Sequence, residues 1–267
     1  MKPFFAGDRY DTPENTPRYK LDRLMGNGRL YFHTAFFKAV IQSSRVAKKG
    51  LYDRAAWAQS SYQTFKLVEG CGGRFHITGL DYLRRAGPFV FVGNHMSGLE
   101  TAVMPGIVAP FMPVTFVVKH TILDYPFFGE VVRATNPIPV GRVNPREDFQ
   151  IVLREGVKAL EEGTSVVIYP QHTRSMVFKP EEFNSMGIKL AKKAGVSALP
   201  VAVKTDFWDY GRYLRDFGPI HRDRPIHIAF GEPFPIQNSK ADHQRVIQFI
   251  QTCLQTWAEE DVGLSRG

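Results

Sequence analysis

Six short runs rich in β-branched and aromatic residues punctuate the chain: "FHITG" from Phe75, "FVFVG" from Phe89, "VTFVVK" from Val114, "SVVIY" from Ser165, "ALPVAVK" from Ala198 and "IHIAFG" from Ile226. Between them lie stretches whose apolar positions recur with helical spacing. Asn144-Pro145-Arg146-Glu147 supplies a cap and a proline at the first helical position, and Phe149, Val152, Leu153, Val157 and Leu160 form a buried stripe that ends at Gly163. Residues 181–194 place Phe183, Met186, Leu190, Ala191 and Ala194 on one face and stop at Gly195. A last stripe runs through Val246, Ile250, Cys253 and Trp257. Strands that alternate with helices predict an α/β fold, with a mostly parallel central sheet flanked by helices.

The first 70 residues follow a different pattern. Residues 1–25 are polar and carry prolines at 3, 13 and 17, so they predict an arm with little regular structure. Helices follow at about 30–47 and 52–69, separated by "KKG", and "GCGG" closes the second. The expected division is therefore an arm plus two-helix lobe over 1–70 and an α/β domain over 71–267. Within the lobe, "LYFHTAFFKAVIQSS" gives a broad apolar arc of Leu30, Phe32, Phe36, Phe37, Val40 and Ile41 beside a narrow stripe of Thr34, Lys38 and Gln42. That profile suits a helix lying at a membrane surface and equally a helix buried against the main domain.

Charge sharpens the picture. The net charge is +8, and residues 1–60 hold 11 Lys and Arg against 5 Asp and Glu, so the excess is concentrated at the N-terminal end, which should seek anionic partners. No run of about 18 uncharged apolar residues is present, and no signal-peptide pattern, which predicts a cytoplasmic protein, soluble or bound to a surface. Cys71 and Cys253 form neither a metal cluster nor a disulfide framework. The glycine clusters "GNG" at 26–28 and "GCGG" at 70–73 lack the third glycine of a dinucleotide site, and Walker, Gly-x-Ser-x-Gly and His-Glu-x-x-His patterns are absent.

The candidate chemistry sits in "FVFVGNHMSGLE". A strand ending at Gly93 delivers Asn94 and His95 to the carboxyl edge of the sheet, where open α/β folds bind ligands. His95 and Glu100 can meet only if His95 lies in the turn before the helix, because residues five apart on one helix diverge by about 140°. Glu100 would then fix the imidazole tautomer and leave the other nitrogen to take a proton from a hydroxyl. Ser97-Gly98-Leu99-Glu100 is also a capping box, and spacing alone leaves both readings open.

"VGNHMSGLE", "VVKHTILDYPFFG", "NPIPVGR", "VVIYPQHTRS" and "ALPVAVK" resemble, in order and spacing, the sequence blocks of the glycerolipid acyltransferase superfamily, over roughly residues 74–235 including "FGEPFPI". The resemblance implies an O-acyltransferase like the 1-acylglycerol-3-phosphate acyltransferases, with His95 as general base and Glu100 in the place of the family's usual Asp. It also implies Arg142 and Arg174 at the acceptor's phosphate, with Asn94, Lys119, Gln171, His172, Thr173 and Ser175 as further substrate contacts. The acyl group would pass directly from an acyl-coenzyme A or acyl carrier protein thioester to a lysophospholipid or related single-chain lipid, with no metal and no other cofactor. Guanidinium suits phosphate because its donors engage two oxygens at once.

Where the family usually reads Pro-Glu-Gly-Thr-Arg-Ser, this chain has Pro170-Gln171-His172-Thr173-Arg174-Ser175. The change predicts a head-group pocket of different charge and shape. The expected partners are membrane lipids, the lipid acceptor and the acyl carrier, not nucleic acid, and the expected place is the inner face of a membrane. An acyl thioesterase and a non-catalytic lipid-binding descendant of the family are the rival readings.

Overall fold

The computed structural model describes residues 1–212 and 215–264. Its eight strands are β1 (Arg9–Asp11), β2 (Phe75–Thr78), β3 (Phe89–Gly93), β4 (Val114–Lys119), β5 (Ile138–Val140), β6 (Ser165–Ile168), β7 (Ser197–Lys204) and β8 (Ile226–Phe230). They form one sheet in the order β1-β2-β8-β7-β3-β6-β4-β5. Strands β7, β3, β6, β4 and β5 are mutually parallel, β2 pairs parallel to β8, and β1–β2 and β7–β8 are antiparallel. All five residues of β3 and all four of β6 are buried, as expected of parallel strands covered on both faces. The mostly parallel sheet expected from the sequence is thus present.

Among the described residues, eight α-helices cover it: α1 (Lys20–Leu24), α2 (Leu30–Lys48), α3 (Arg54–Gly70), α4 (Leu99–Val108), α5 (Phe128–Arg133), α6 (Pro145–Glu161), α7 (Met186–Ala194) and α8 (Ser239–Leu264). Alternation along β3 assigns the faces. Phe89 and Phe91 point into a core shared with Phe32, Phe65, Val68, Val103 and Met104 of α2, α3 and α4. Val90 and Val92 point the other way, into a core with Val152, Leu160, Ile188, Leu190, Val246 and Ile250 of α6, α7 and α8. Asn144 caps α6 by accepting from the amides of Arg146 and Glu147, and Gly163 and Gly195 adopt positive φ after α6 and α7.

Several expectations change. Residue 70 is not a packing boundary, since Phe5, Phe32, Phe65 and Val68 belong to the same core as Phe91, Leu199 and Val203 of the sheet. The arm expected over 1–25 contains β1 and α1, and the buried carboxylate of Glu69 ties it down by accepting from Tyr10 and Thr12 hydroxyls at 2.7 Å each. The helix expected over 181–194 begins at Met186, after a short 3-10 turn at Pro180–Glu182. Helix α2 divides its apolar arc: Phe32 is fully buried, whereas Leu30 and Phe37 are exposed.

The close approach of α3 and α4 needs a glycine. A β-carbon at Gly106 would lie 2.8 Å from the amide nitrogen of Tyr62, and the same contact is stitched by Ser61 Oγ, which donates to the carbonyl of Ala102 and accepts from the amide of Gly106. Gly106→Val is therefore expected to cost about 1–3 kcal/mol through overpacking. A lower urea midpoint with an unchanged slope is the expected readout, and an unaltered midpoint would show that the helices separate freely.

Candidate active site

Strand β3 ends at Gly93, and the four residues His95–Gly98 turn before α4 begins at Leu99, so His95 lies outside the helix that carries Glu100. The two side chains meet: His95 Nδ1 is 2.7 Å from Glu100 Oε1. The amides of Met96 and Ser97 donate to the same oxygen at 2.7 and 3.0 Å. Thr205, just beyond β7, donates its hydroxyl to Oε2 at 2.6 Å, and Ser97 Oγ accepts from the amide of Leu99 at 3.0 Å. Both sequence readings of Glu100 therefore hold, because one carboxylate completes the helix cap and fixes the imidazole.

Glu100 is fully buried. Burial raises the pKa of its carboxyl, but hydrogen bonds from His95 and Thr205 and the charge of His95 more than offset this and hold it below its ordinary value. With Nδ1–H directed at the carboxylate, Nε2 carries the lone pair that can accept a proton. The imidazole also stacks on Tyr169, with ring centroids 4.6 Å apart and planes within 9°.

Other predicted site residues converge on the same sheet edge, because the parallel strands β3, β4, β5 and β6 all end there. Lys119 is the exposed last residue of β4. Arg142 follows β5 in a left-handed turn with φ 58°, a conformation that costs a non-glycine residue about 1–3 kcal/mol. Asp148 of α6 holds that turn by accepting from the amides of Gly141 and Arg142 at 2.8 Å each. Burial lowers the pKa of Arg142 and the nearby Arg174 lowers it further, while Asp148 opposes both. Arg174 lies over the start of α4, where a β-carbon at Gly98 would be 3.2 Å from its Nη1.

The remaining predicted substrate contacts divide. Asn94, expected to touch substrate, is instead buried with both ends of its amide on the backbone of Val203, at 2.8 and 2.9 Å, splicing β3 to β7. Gln171 is likewise buried, its Oε1 accepting from the amide of His95 at 2.6 Å. Ser175 spends its hydroxyl on a local turn with Val177 while its amide binds the carbonyl of His95. These three build the loops rather than face outward. His172 is exposed and its carbonyl accepts from Arg142; Thr173 Oγ1 accepts from Arg215 at 2.9 Å.

Sequence reasoning missed Asp148, Thr205, Tyr169 and Arg215. Arg215 also donates to the carbonyl of Arg174 at 2.8 Å and stacks on Tyr210, whose hydroxyl donates to the carbonyl of Met96. The segment "DFWDYGRYLRD" is the available signal, since it sets aromatics against charges between the "ALPVAVK" and "FGEPFPI" blocks.

A family model described as Acyltransferase matches residues 74–204. The chain is 26% identical over 204 residues to the 1-acyl-sn-glycerol-3-phosphate acyltransferase of Pseudomonas aeruginosa, covering 76% of this chain and 74% of that one. It is 27% identical over 132 residues to the protein of the same name from Borreliella burgdorferi, covering 49% and 52%. Among solved structures, the 1-acyl-sn-glycerophosphate acyltransferase of Thermotoga maritima shares the fold, with a TM-score of 0.63 at 19% identity over 89% of this chain and 96% of that one.

Because the carboxyl of Glu100 titrates below its ordinary value of 4.5 in the folded chain, its charge contributes stability that is complete above pH 4.5 and is lost as pH falls through the lower folded value. Glu100→Gln is expected to cost about 1–3 kcal/mol at pH 7 by leaving buried donors badly paired. The difference in urea midpoint between wild type and variant should shrink as pH is lowered from 6 to 3. A constant difference would show that the pocket does not hold the charged form.

Proposed function

The chain belongs to the glycerolipid acyltransferase superfamily and is an O-acyltransferase, and from that premise we propose that it transfers a fatty acyl group from an acyl-coenzyme A or acyl carrier protein thioester to the free hydroxyl of a lysophospholipid. The acceptor favoured by the names of its relatives is 1-acylglycerol 3-phosphate. One observation carries the reading: a fully buried carboxylate holds Nδ1 of His95 at 2.7 Å, at the sheet edge where Arg142 and Arg174 also lie.

In this scheme Nε2 of His95 removes the proton of the acceptor hydroxyl as its oxygen attacks the thioester carbonyl. The resulting imidazolium is stabilised by the carboxylate of Glu100. The tetrahedral intermediate collapses with cleavage of the carbon–sulfur bond, and the thiolate leaves with the proton held on His95. No covalent acyl-enzyme is formed, and the reaction as written draws on neither metal nor cofactor beyond the acyl carrier. Arg142 and Arg174 bind the head-group phosphate, fixing the hydroxyl against His95.

The acyl chain is assigned to a narrow, mostly apolar cleft between α2, α3, α4, β4 and α5. Its wall includes Thr101 and Ala102, the two residues after Glu100, together with Phe36, Trp57, Phe116 and Val118.

Among the described residues no helix is long and apolar enough to cross a membrane. Peripheral attachment to the inner face is proposed instead. Leu21, Leu24, Met25, Leu30 and Phe37 are exposed beside Lys20, Arg23, Arg29 and Lys38, which puts apolar and basic groups on one end of the molecule. Each well-placed basic residue contributes roughly 1 kcal/mol on an anionic surface.

With labelled acyl donor and a panel of lysophospholipids, His95→Ala should abolish transfer and Glu100→Gln should lower kcat by about 10²–10⁴-fold. Transfer that survives His95→Ala would remove the general-base assignment. The double variant Leu24→Glu/Leu30→Glu, altering two exposed positions, should stay folded and lose most co-sedimentation with anionic vesicles. Undiminished sedimentation would place the membrane contact elsewhere.

A further inference from the structure

Arg174 already has an anion. Its Nη1 lies 2.5 Å from Oδ1 of Asp216, on a segment beyond residue 204 where the family model ends. The pair sits above the first turn of α4: a β-carbon at Gly98 would be 3.2 Å from Arg174 Nη1 and 3.9 Å from Asp216 Oδ1. The Asp216 carboxylate therefore lies over Gly98, which is three residues along the chain from His95. Its side chain is 44% exposed and that of Arg174 21%, so solvent and solutes reach the bond.

Holding the segment in place is not the work of this carboxylate. Tyr210 is bonded to the carbonyl of Met96, and Arg215 to Thr173 and to the carbonyl of Arg174. His33 Nε2 is 2.8 Å from the carbonyl of Gly218, and the amide of Asp209 binds the carbonyl of Pro219 at 3.0 Å. What Asp216 adds is charge. Without it, the guanidinium groups of Arg142 and Arg174 would stand near each other with Arg174 unpaired at the mouth of the pocket.

On the reading of Arg174 as a head-group ligand, we propose that Asp216 is an internal counter-anion displaced by the acceptor's head group: it neutralises Arg174 in the empty site, and the incoming phosphate must break this pair to bind. A phosphomonoester carries about −1.5 to −2 at pH 7 and offers three terminal oxygens to the guanidinium fork, so it outcompetes a carboxylate that carries one charge. The exchange costs every acceptor the same ion pair, so Asp216 sets how tightly acceptors bind and not how they rank.

The test uses full-length wild type, Asp216→Asn and Arg174→Ala, with a 1-acylglycerol 3-phosphate and a lysophosphatidylglycerol of the same acyl chain as acceptors. Asp216→Asn should lower KM for both acceptors by a similar factor, roughly two- to fivefold. Thermal protection by glycerol 3-phosphate, which needs no turnover, should increase in Asp216→Asn and disappear in Arg174→Ala. An unchanged KM with unchanged protection overturns the proposal, as does a KM that rises for both acceptors, which would make Asp216 a prop for Arg174. Wild-type KM and protection in Arg174→Ala would instead overturn the head-group assignment on which the proposal rests.

Discussion

A carboxylate with no access to water is tolerated only when its oxygens are filled by donors, and Glu100 is the place where this chain meets that demand. Its donors come from the turn after β3 and from Thr205 beyond β7, and the carboxylate itself belongs to α4. Filling the carboxylate thus fixes three segments against one another. The same requirement orients His95, because Nδ1 is one of the donors. One oxygen of Glu100 reaches the imidazole and two amides together while the other turns towards Thr205.

Around that centre, residues that look like substrate ligands do a prior job. Asn94 closes β3 onto the end of β7, Gln171 pins the amide of His95, and the amide of Ser175 binds the carbonyl of His95. The loop after β6 is consequently tied to the turn after β3 at both His95 backbone groups. Glutamine at 171 suits this because its carbonyl oxygen accepts from an amide without burying another charge beside Glu100. Asp148 performs the equivalent service for Arg142, and its two backbone bonds offset the strain of a left-handed arginine.

The parts of this arrangement that were legible in the sequence are those with a local signal. Buried parallel strands such as β3 and β6 are continuous apolar runs, and α6 and α7 carry their caps and stripes within a few residues. Strands β1 and β5, three residues each, are too short to show a period, and their placement depends on distant partners. Spacing could bring His95 and Glu100 together but could not show that one carboxylate serves both the imidazole and the turn amides, nor that Thr205, more than 100 residues away, fills its second oxygen. Helix α2 was ambiguous for a physical reason: its apolar arc is wider than the protein covers, so Phe32 is buried and Leu30 is not.

That division of α2 links the outer surface of the molecule to its chemistry. The inward residues Phe32, His33 and Phe36 all pack on Trp208, with ring centroids 5.1, 5.8 and 5.1 Å away, and His33 also binds the carbonyl of Gly218. Trp208 and Gly218 bracket the segment that brings Tyr210 to Met96, Arg215 to Thr173 and Asp216 to Arg174. The outward residues Leu30 and Phe37 of the same helix lie beside exposed basic groups. One helix therefore carries exposed apolar residues beside basic groups on one side and, on the other, the clamp on the segment that pairs Asp216 with Arg174. On the proposed function, the surface that meets lipid and the site that takes the head group are tied together by that helix.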